Sequence, residues 1–337
     1  MTLSATDISR LAQMAVDVKP PRPGNTAGVK SRVGVVGLGH MGTEFAANFV
    51  ADGHQVLVWD RDPQHVAAHR PIGAEGATRL TELAACDVIV SSVSDDDALK
   101  SVVLGAGGLA DVLAASAVHI SMSTISPTLS QHLAEVHARR GQDYVAAPVL
   151  GNPDAVRARK LFVLVAGKAA AVERVRPLLE HLGQRVFVIG EDVAAANLVK
   201  LASNVLTAMT LESLGEVLAL LRKGGIDPHV GFDVLTNSMF DSRVHRVYGE
   251  KIVDEAYSPP GMAVPLAVKD VRLALAEAER HAVPMPAASL VHDRLIRMLA
   301  RGWADLDWSA LGLLAARDAG LDDTTPVNGG SKRPARA

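Results

Sequence analysis

From Arg32 to about Gly190, short apolar runs alternate with longer segments whose apolar residues recur every three or four positions. "RVGVVG", "HQVLVWD", "DVIVSSV", "AVHISMS", "DYVAAPV", "LFVLVAG" and "QRVFVIG" read as strands, being short, β-branched and bounded by turn residues. Between several of them, "MGTEFAANFVADG", "PTLSQHLAEVHARRG" and "AAAVERVRPLLEHLG" carry the helical period. Strands that are apolar nearly throughout belong to a sheet covered on both faces, and intervening helices make that sheet largely parallel.

After Gly190 the strand pattern stops, and from Val193 to about Ala316 the chain reads as helix. Asp227-Pro228 and Asp307 have the form of helix starts, the first with proline at N1. The expected organisation is a flexible leader (1–30), an α/β domain (31–192), an all-helical domain (193–318) and a disordered tail (319–337). One segment of the helical half departs from its surroundings. In "NLVKLASNVL", Asn197, Lys200 and Asn204 fall on one stripe of an otherwise apolar helix, three and four residues apart.

Composition narrows the function classes. With 48% hydrophobic residues in 337, a large core is available, and 4% aromatics means that Ala, Val and Leu must build it. A net charge of -3 gives no basic surface for nucleic acid, and "SKRPAR" near the C-terminus reads as a solvated tail. The single cysteine, Cys86, cannot form an internal disulfide, and its apolar context suggests a small core residue in a reducing cytoplasm. No uninterrupted apolar run reaches the ~18 residues of a membrane span, and residues 1–30 lack the apolar core of a secretory signal. Neither a membrane nor a metal is assigned.

"VGVVGLGHMG" places Gly37, Gly39 and Gly42 in G-x-G-x-x-G spacing between a strand and a helix. In that setting the first glycine permits a tight turn and the second a close approach of pyrophosphate. The third allows helix and strand to pack closely, with the helix N-terminus facing the phosphates. The next strand ends at Asp60, close to the spacing expected of an acid on the adenosine ribose. The architecture expected is therefore α/β, an N-terminal Rossmann-type doubly wound sheet followed by an all-α domain. The dinucleotide contacts expected are Gly37, Leu38, Gly39, His40, Met41, Gly42, Asp60, Arg61, Ser92 and Val93. Asp60 favours NAD because it would repel a 2′-phosphate, whereas Arg61 would attract one and keeps NADP open; the balance leans slightly to NAD.

Ligands of such sheets lie beyond the carboxyl ends of the strands. In "SMSTISPTLSQ", Ser126-Pro127 looks like a helix start, which sets Ser123 and Thr124 before a positive helix end suited to a substrate carboxylate. In "AAPVLGNPDAV", Gly151 allows close backbone approach and Asn152 offers an amide.

Five segments in this order, "GVVGLGHMG", "MSTISP", "APVLGN", "NLVKLASN" and "KDVRLAL", resemble the β-hydroxyacid dehydrogenase family across residues 32 to 315. The resemblance implies a Rossmann domain, a helical domain, and a long helix between them carrying a catalytic lysine. Lys200 matches that lysine and Asn204 the asparagine four positions on. Ser123 matches the residue that helps bind the substrate carboxylate, with the Gly151 backbone beside it. Lys269 and Asp270 match the family's late Lys-Asp pair near the cleft, and are assigned to cofactor and substrate respectively. The family commonly has serine and glycine where this chain has Leu150 and Asn152, which suggests a bulkier or more apolar substrate.

The chemistry follows from charge. Hydride arriving at a carbonyl carbon leaves negative charge on oxygen, which Lys200 can meet with a proton; in reverse it accepts one. Such help is typically worth about 10²–10⁴-fold. Partial burial would bring an amine of ordinary pKa about 10.4 toward neutrality. The function expected is NAD(P)-dependent interconversion of a β-hydroxy acid, or related alcohol, with its aldehyde or ketone. Imine reduction on the same scaffold is one alternative, disfavoured because imine reductases resembling this family usually lack the lysine. A nicotinamide-binding sensor or scaffold without chemistry is the other. The long helix is apolar almost all round, so a homodimer or homotetramer is expected to cover it.

Overall fold

The computed structural model describes residues 30–69 and 72–321. The leader expected at 1–30 and the tail expected at 319–337 lie almost wholly outside them, although the fold continues to Leu321, which is buried. The chain divides into two compact units, Met1–Lys200 and Leu201–Ala337.

The first unit is built on one sheet of nine strands. Its elements run β1 (Arg32–Val36), α1 (His40–Ala51), β2 (Gln55–Trp59), α2 (Pro63–Ala68), β3 (Glu75–Gly76), β4 (Val88–Ser91), α3 (Asp96–Leu104) and α4 (Leu109–Val112). There follow β5 (Val118–Ser121), α5 (Pro127–Arg139), β6 (Asp143–Ala146), β7 (Val149–Leu150), α6 (Pro153–Arg157), β8 (Leu161–Ala166), α7 (Ala169–Glu180) and β9 (Gly183–Gly190). The strand order is β3-β2-β1-β4-β5-β6-β8-β7, with β9 on β8. Pairing is parallel from β3 through β6 and between β8 and β9, and antiparallel where β8 meets β6 and β7.

Alternation along the strands divides the core between the two faces. Val33 and Val35, Val56 and Val58, and Val88 and Val90 face one cluster. Val36, Leu57 and Ile89 face the other, with Leu129, Leu133 and Val136 of α5. This is the two-sided burial that the uninterrupted apolar strands imply. Because β1 is followed in space by β2 on one side and β4 on the other, the sheet reverses its winding at the carboxyl end of β1, where such sheets bind ligands.

The second unit is helical. It contains most of α8 (Val193–Lys223), then α9 (Pro228–Thr236), α10 (Arg243–Val253), α11 (Val264–Arg280), α12 (Pro286–Ala300) and α13 (Leu311–Asp318). Asp227 caps α9 by accepting from the His229 N–H, and Asp307 caps the turn before α13 by accepting from Ser309, as their positions before helical runs imply. Leu201, Val205, Ala208 and Leu211 of α8 pack in one core with Val264 and Val271 of α11 and Leu295 and Met298 of α12.

One detail revises the sequence picture and another agrees with it. By length and composition α8 would suffice to cross a membrane, contrary to the reading that no run does; half of its most apolar window is buried inside the protein. Cys86 is buried as expected, and desolvation pushes its thiol up to about 11.

Candidate active site

The glycine turn sits at the reversal of the sheet, and each glycine has a distinct physical reason. Gly37 has φ +89, and a side chain there would meet the Ser92 carbonyl oxygen at 2.3 Å. A Cβ on Gly42 would lie 1.8 Å from the Gly37 carbonyl oxygen, so only glycine lets α1 pack against the strand end. Gly39 meets nothing within 4 Å and is exposed with His40, leaving the start of α1 open to a phosphate. Leu38 turns into the core and Met41 packs partly against it. A cradle closed at two glycines and open at the third is the form a pyrophosphate requires, so the residues fit a dinucleotide.

Asp60 does more than end β2. One carboxylate oxygen accepts from the Leu38 N–H at 2.7 Å and the other from the Asp62 N–H at 2.9 Å, with His65 3.4 Å away. The acid therefore ties the second strand to the glycine turn. Arg61 beside it is exposed. On the other side, Ser92 lies against Gly37, and the Val93 N–H donates to Ser123 Oγ at 2.9 Å. That bond uses Ser123 as an acceptor and leaves its hydroxyl hydrogen to donate. Ser123 is buried and Thr124 half-buried.

The start of α5 requires a correction. Ser126 caps it by accepting from the Leu129 N–H at 3.2 Å. The anion at this helix end is the protein's own, because Asp96 accepts from the Ser126 N–H at 2.9 Å and from its hydroxyl at 2.5 Å. The N–H and hydroxyl of Ser126 are thus taken by the protein's own carboxylate, whereas neither Ser123 nor Thr124 is engaged by Asp96 in these bonds. The residue that fills this helix end comes from the acidic run "SDDDAL" at the start of α3.

The "APVLGN" segment is also revised. It forms β7, in which Leu150 pairs with Phe162 and packs against the core, so Leu150 serves packing. Asn152 is the N-cap of α6, its side-chain oxygen accepting from the Ala155 N–H at 3.0 Å. The cap engages only the amide oxygen and leaves the NH₂ group to donate elsewhere, and the Asn-Pro pair is the signal for the cap. Gly151 has φ +144, and a Cβ there would strike Leu161 at 2.6 Å, so local packing already requires glycine.

The stripe on α8 is inside the protein. Asn197 is 1%, Lys200 8% and Asn204 6% exposed. Asn204 Nδ2 donates to Asp270 Oδ2 at 2.5 Å, and Asp270 Oδ1 pairs with Lys269 Nζ at 3.0 Å. Asp270 is 1% exposed and anchors Asn204. Lys269 is largely buried beside that carboxylate.

The comparisons with known proteins agree with this geometry. Residues 32–190 match the model of the NAD-binding domain of 6-phosphogluconate dehydrogenase, and residues 194–315 match that of the NAD-binding region of NADP-dependent 3-hydroxyisobutyrate dehydrogenase. An uncharacterized oxidoreductase, YfjR, of Bacillus subtilis is 36% identical over 281 residues, 83% of this chain and 98% of its own. The chain belongs to the β-hydroxyacid dehydrogenase family. A 3-hydroxyisobutyrate dehydrogenase of Pseudomonas aeruginosa is a second relative, 32% identical over 83% of this chain and 96% of its own. The crystal structure of 3-hydroxyisobutyrate dehydrogenase from Salmonella typhimurium superimposes with a TM-score of 0.76 at 27% identity, covering 84% of this chain and 99% of that one. This dehydrogenase is thus an NAD(P)-dependent oxidoreductase acting on a small molecule.

Proposed function

We propose that this enzyme interconverts a β-hydroxy acid and its aldehyde or ketone, with Lys200 as general acid in reduction and general base in oxidation. The observation that carries this reading is a buried lysine between two buried asparagines on one face of an apolar helix. A buried ammonium is costly unless polar groups receive it, and a stripe retained in such surroundings supports a chemical role. When bound, the nicotinamide supplies or accepts the hydride. Lys200 gives its proton to the oxygen as charge develops there and regains it in the opposite direction. Asn204, fixed by Asp270, holds the lysine or the substrate hydroxyl in register. The Ser123 hydroxyl, with its acceptor side already engaged by Val93, is set to donate to the substrate carboxylate.

Each Asp60 oxygen accepts one backbone N–H and keeps a lone pair for a ribose hydroxyl, and the carboxylate's charge still opposes a 2′-phosphate, so the lean stays slightly to NAD. Arg61, exposed alongside, keeps NADP open. Leu206 (62% exposed) and Leu220 (70%) on α8, with Leu290 (53%) on α12, support association with further copies into a dimer or tetramer.

The test follows NADPH and NADH absorbance with a panel of semialdehydes, glyoxylate and larger aldehydes. Turnover of at least one carbonyl acid, lost by about 10²-fold or more in Lys200→Ala while cofactor binding persists, is expected. A variant with undiminished turnover overturns the role of Lys200.

A further inference from the structure

Asn197 has no place in the chemistry described above, yet it is the most deeply buried member of the stripe. Both its side-chain oxygen and its side-chain nitrogen lack a hydrogen-bond partner among the described residues. Leaving a buried polar group unmatched costs about 1–3 kcal/mol, and replacing an amide by an apolar group of similar shape would remove that burden. A group held inside in this state can be matched by an ordered water or by a bound ligand.

The surroundings say on which side. Val193 lies one turn before Asn197 on the same face of α8, and Val193 and Ala196 pack into the cluster that covers one face of the dinucleotide-binding sheet. Asp192 fastens this end of α8 by accepting from Gln131 of α5 at 3.3 Å. Asn197 thus belongs to the same compact unit as the glycine turn and stands on the helix face that Val193 packs into that unit's core, three residues before Lys200, a rise of about 4.5 Å along the helix.

We infer that the Asn197 amide is a positioning group for the carboxamide of the nicotinamide ring. This rests on the reading of Lys200 as the proton donor, because the carbonyl that Lys200 serves must lie against the ring carbon that carries hydride. The carboxamide is attached to the next ring carbon. A primary amide offers one acceptor and two donors, and so does the ring carboxamide, so the two can satisfy each other. The pairing would fix the rotation of the ring about its glycosidic bond and so select the face presented to substrate.

The experiment compares NADP+ and NAD+ with their 3-acetylpyridine analogues, in which the carboxamide NH₂ is replaced by methyl. Binding is measured by titration calorimetry without substrate, for wild type, Asn197→Leu and Asn197→Ala. The wild type is expected to favour the carboxamide form by about fivefold to tenfold, the worth of one hydrogen bond. In both variants that preference falls to within twofold. The melting temperature of cofactor-free Asn197→Leu is expected to equal or exceed that of wild type. An unchanged preference in the variants, or a melting temperature lowered by several degrees in Asn197→Leu, overturns the inference by showing that the amide is satisfied within the protein. Asn197→Ala gives the same reading of preference if the leucine variant does not fold. The preference measured in the Lys200→Ala background separates the two claims. It persists there if Asn197 holds the carboxamide, whatever becomes of turnover.

Discussion

Two buried polar clusters in this molecule end in opposite conditions. On one face of the sheet, Ser91 Oγ is 2.8 Å from His119 Nε2, His119 Nδ1 is 2.9 Å from His137 Nε2, and His137 Nδ1 is 2.7 Å from Gln142 Oε1. Gln142 Nε2 donates to the carbonyls of Ala110 and Leu113, so its oxygen must accept from His137. His137 then accepts from His119, and His119 from the Ser91 hydroxyl. Both imidazoles are neutral, and every ring nitrogen is satisfied. On α8, by contrast, Asn204 is anchored while Asn197 is left unmatched. A closed chain of hydrogen bonds specifies one packing of a core and has nothing left for a ligand. An open one costs stability, and that cost is the mark of a surface shaped for something else.

The contrast can be broken at either end. The largest expected effect is on the closed chain. His119→Ala opens a cavity and leaves Ser91 and His137 without their partner, so it should lower stability by about 2–5 kcal/mol, read by urea unfolding, while the kcat of the remaining folded enzyme changes little. Equal loss of kcat and stability would mean that the chain belongs to the catalytic machinery. Acid should have the next largest effect. Burial drives the His119 imidazole well below its ordinary range, with His137 as the second cause, and burial lowers His137 as well. The unfolded chain therefore takes up these protons first. Their contribution is complete above about pH 6.5 and is lost as pH falls below it, at up to about 1.4 kcal/mol per pH unit for each histidine. A stability profile that is flat between pH 6.5 and 5 would contradict neutral imidazoles in the fold. The smallest effect is expected on the stripe's anchor. Asp270→Asn keeps the shape but removes the charge that Asn204 and Lys269 share, and should reduce kcat by about tenfold with little change in KM, measured at saturating cofactor.

Legibility in the sequence divides along the same line. The sheet and the long helices could be read because burial imposes a period, and a period survives in one dimension. The glycine turn could be read because each glycine answers a local demand of backbone or packing. β3 and β7, two residues each, are too short to show any period. The histidine chain could not be read, because it joins residues 28 and 18 positions apart that only strand alternation and α5 bring together. Ser126-Pro127 and Asn152-Pro153 carry the same helix-start signal, and both serine and asparagine cap the helix that follows. The stripe itself was visible as a break in an apolar pattern. Which of its members is left unmatched needed coordinates, since hydrogen-bond satisfaction is a property of neighbours in space.

The most direct test of Lys200 as the proton donor is the pH dependence of carbonyl reduction at saturating cofactor, in wild type and in Lys200→Ala. The wild-type rate should fall tenfold per pH unit on the alkaline side, as one ammonium loses its proton. In the variant that limb should vanish, leaving a rate lower by about 10²-fold or more at the wild-type optimum. The same alkaline limb in Lys200→Ala would mean that another group supplies the proton.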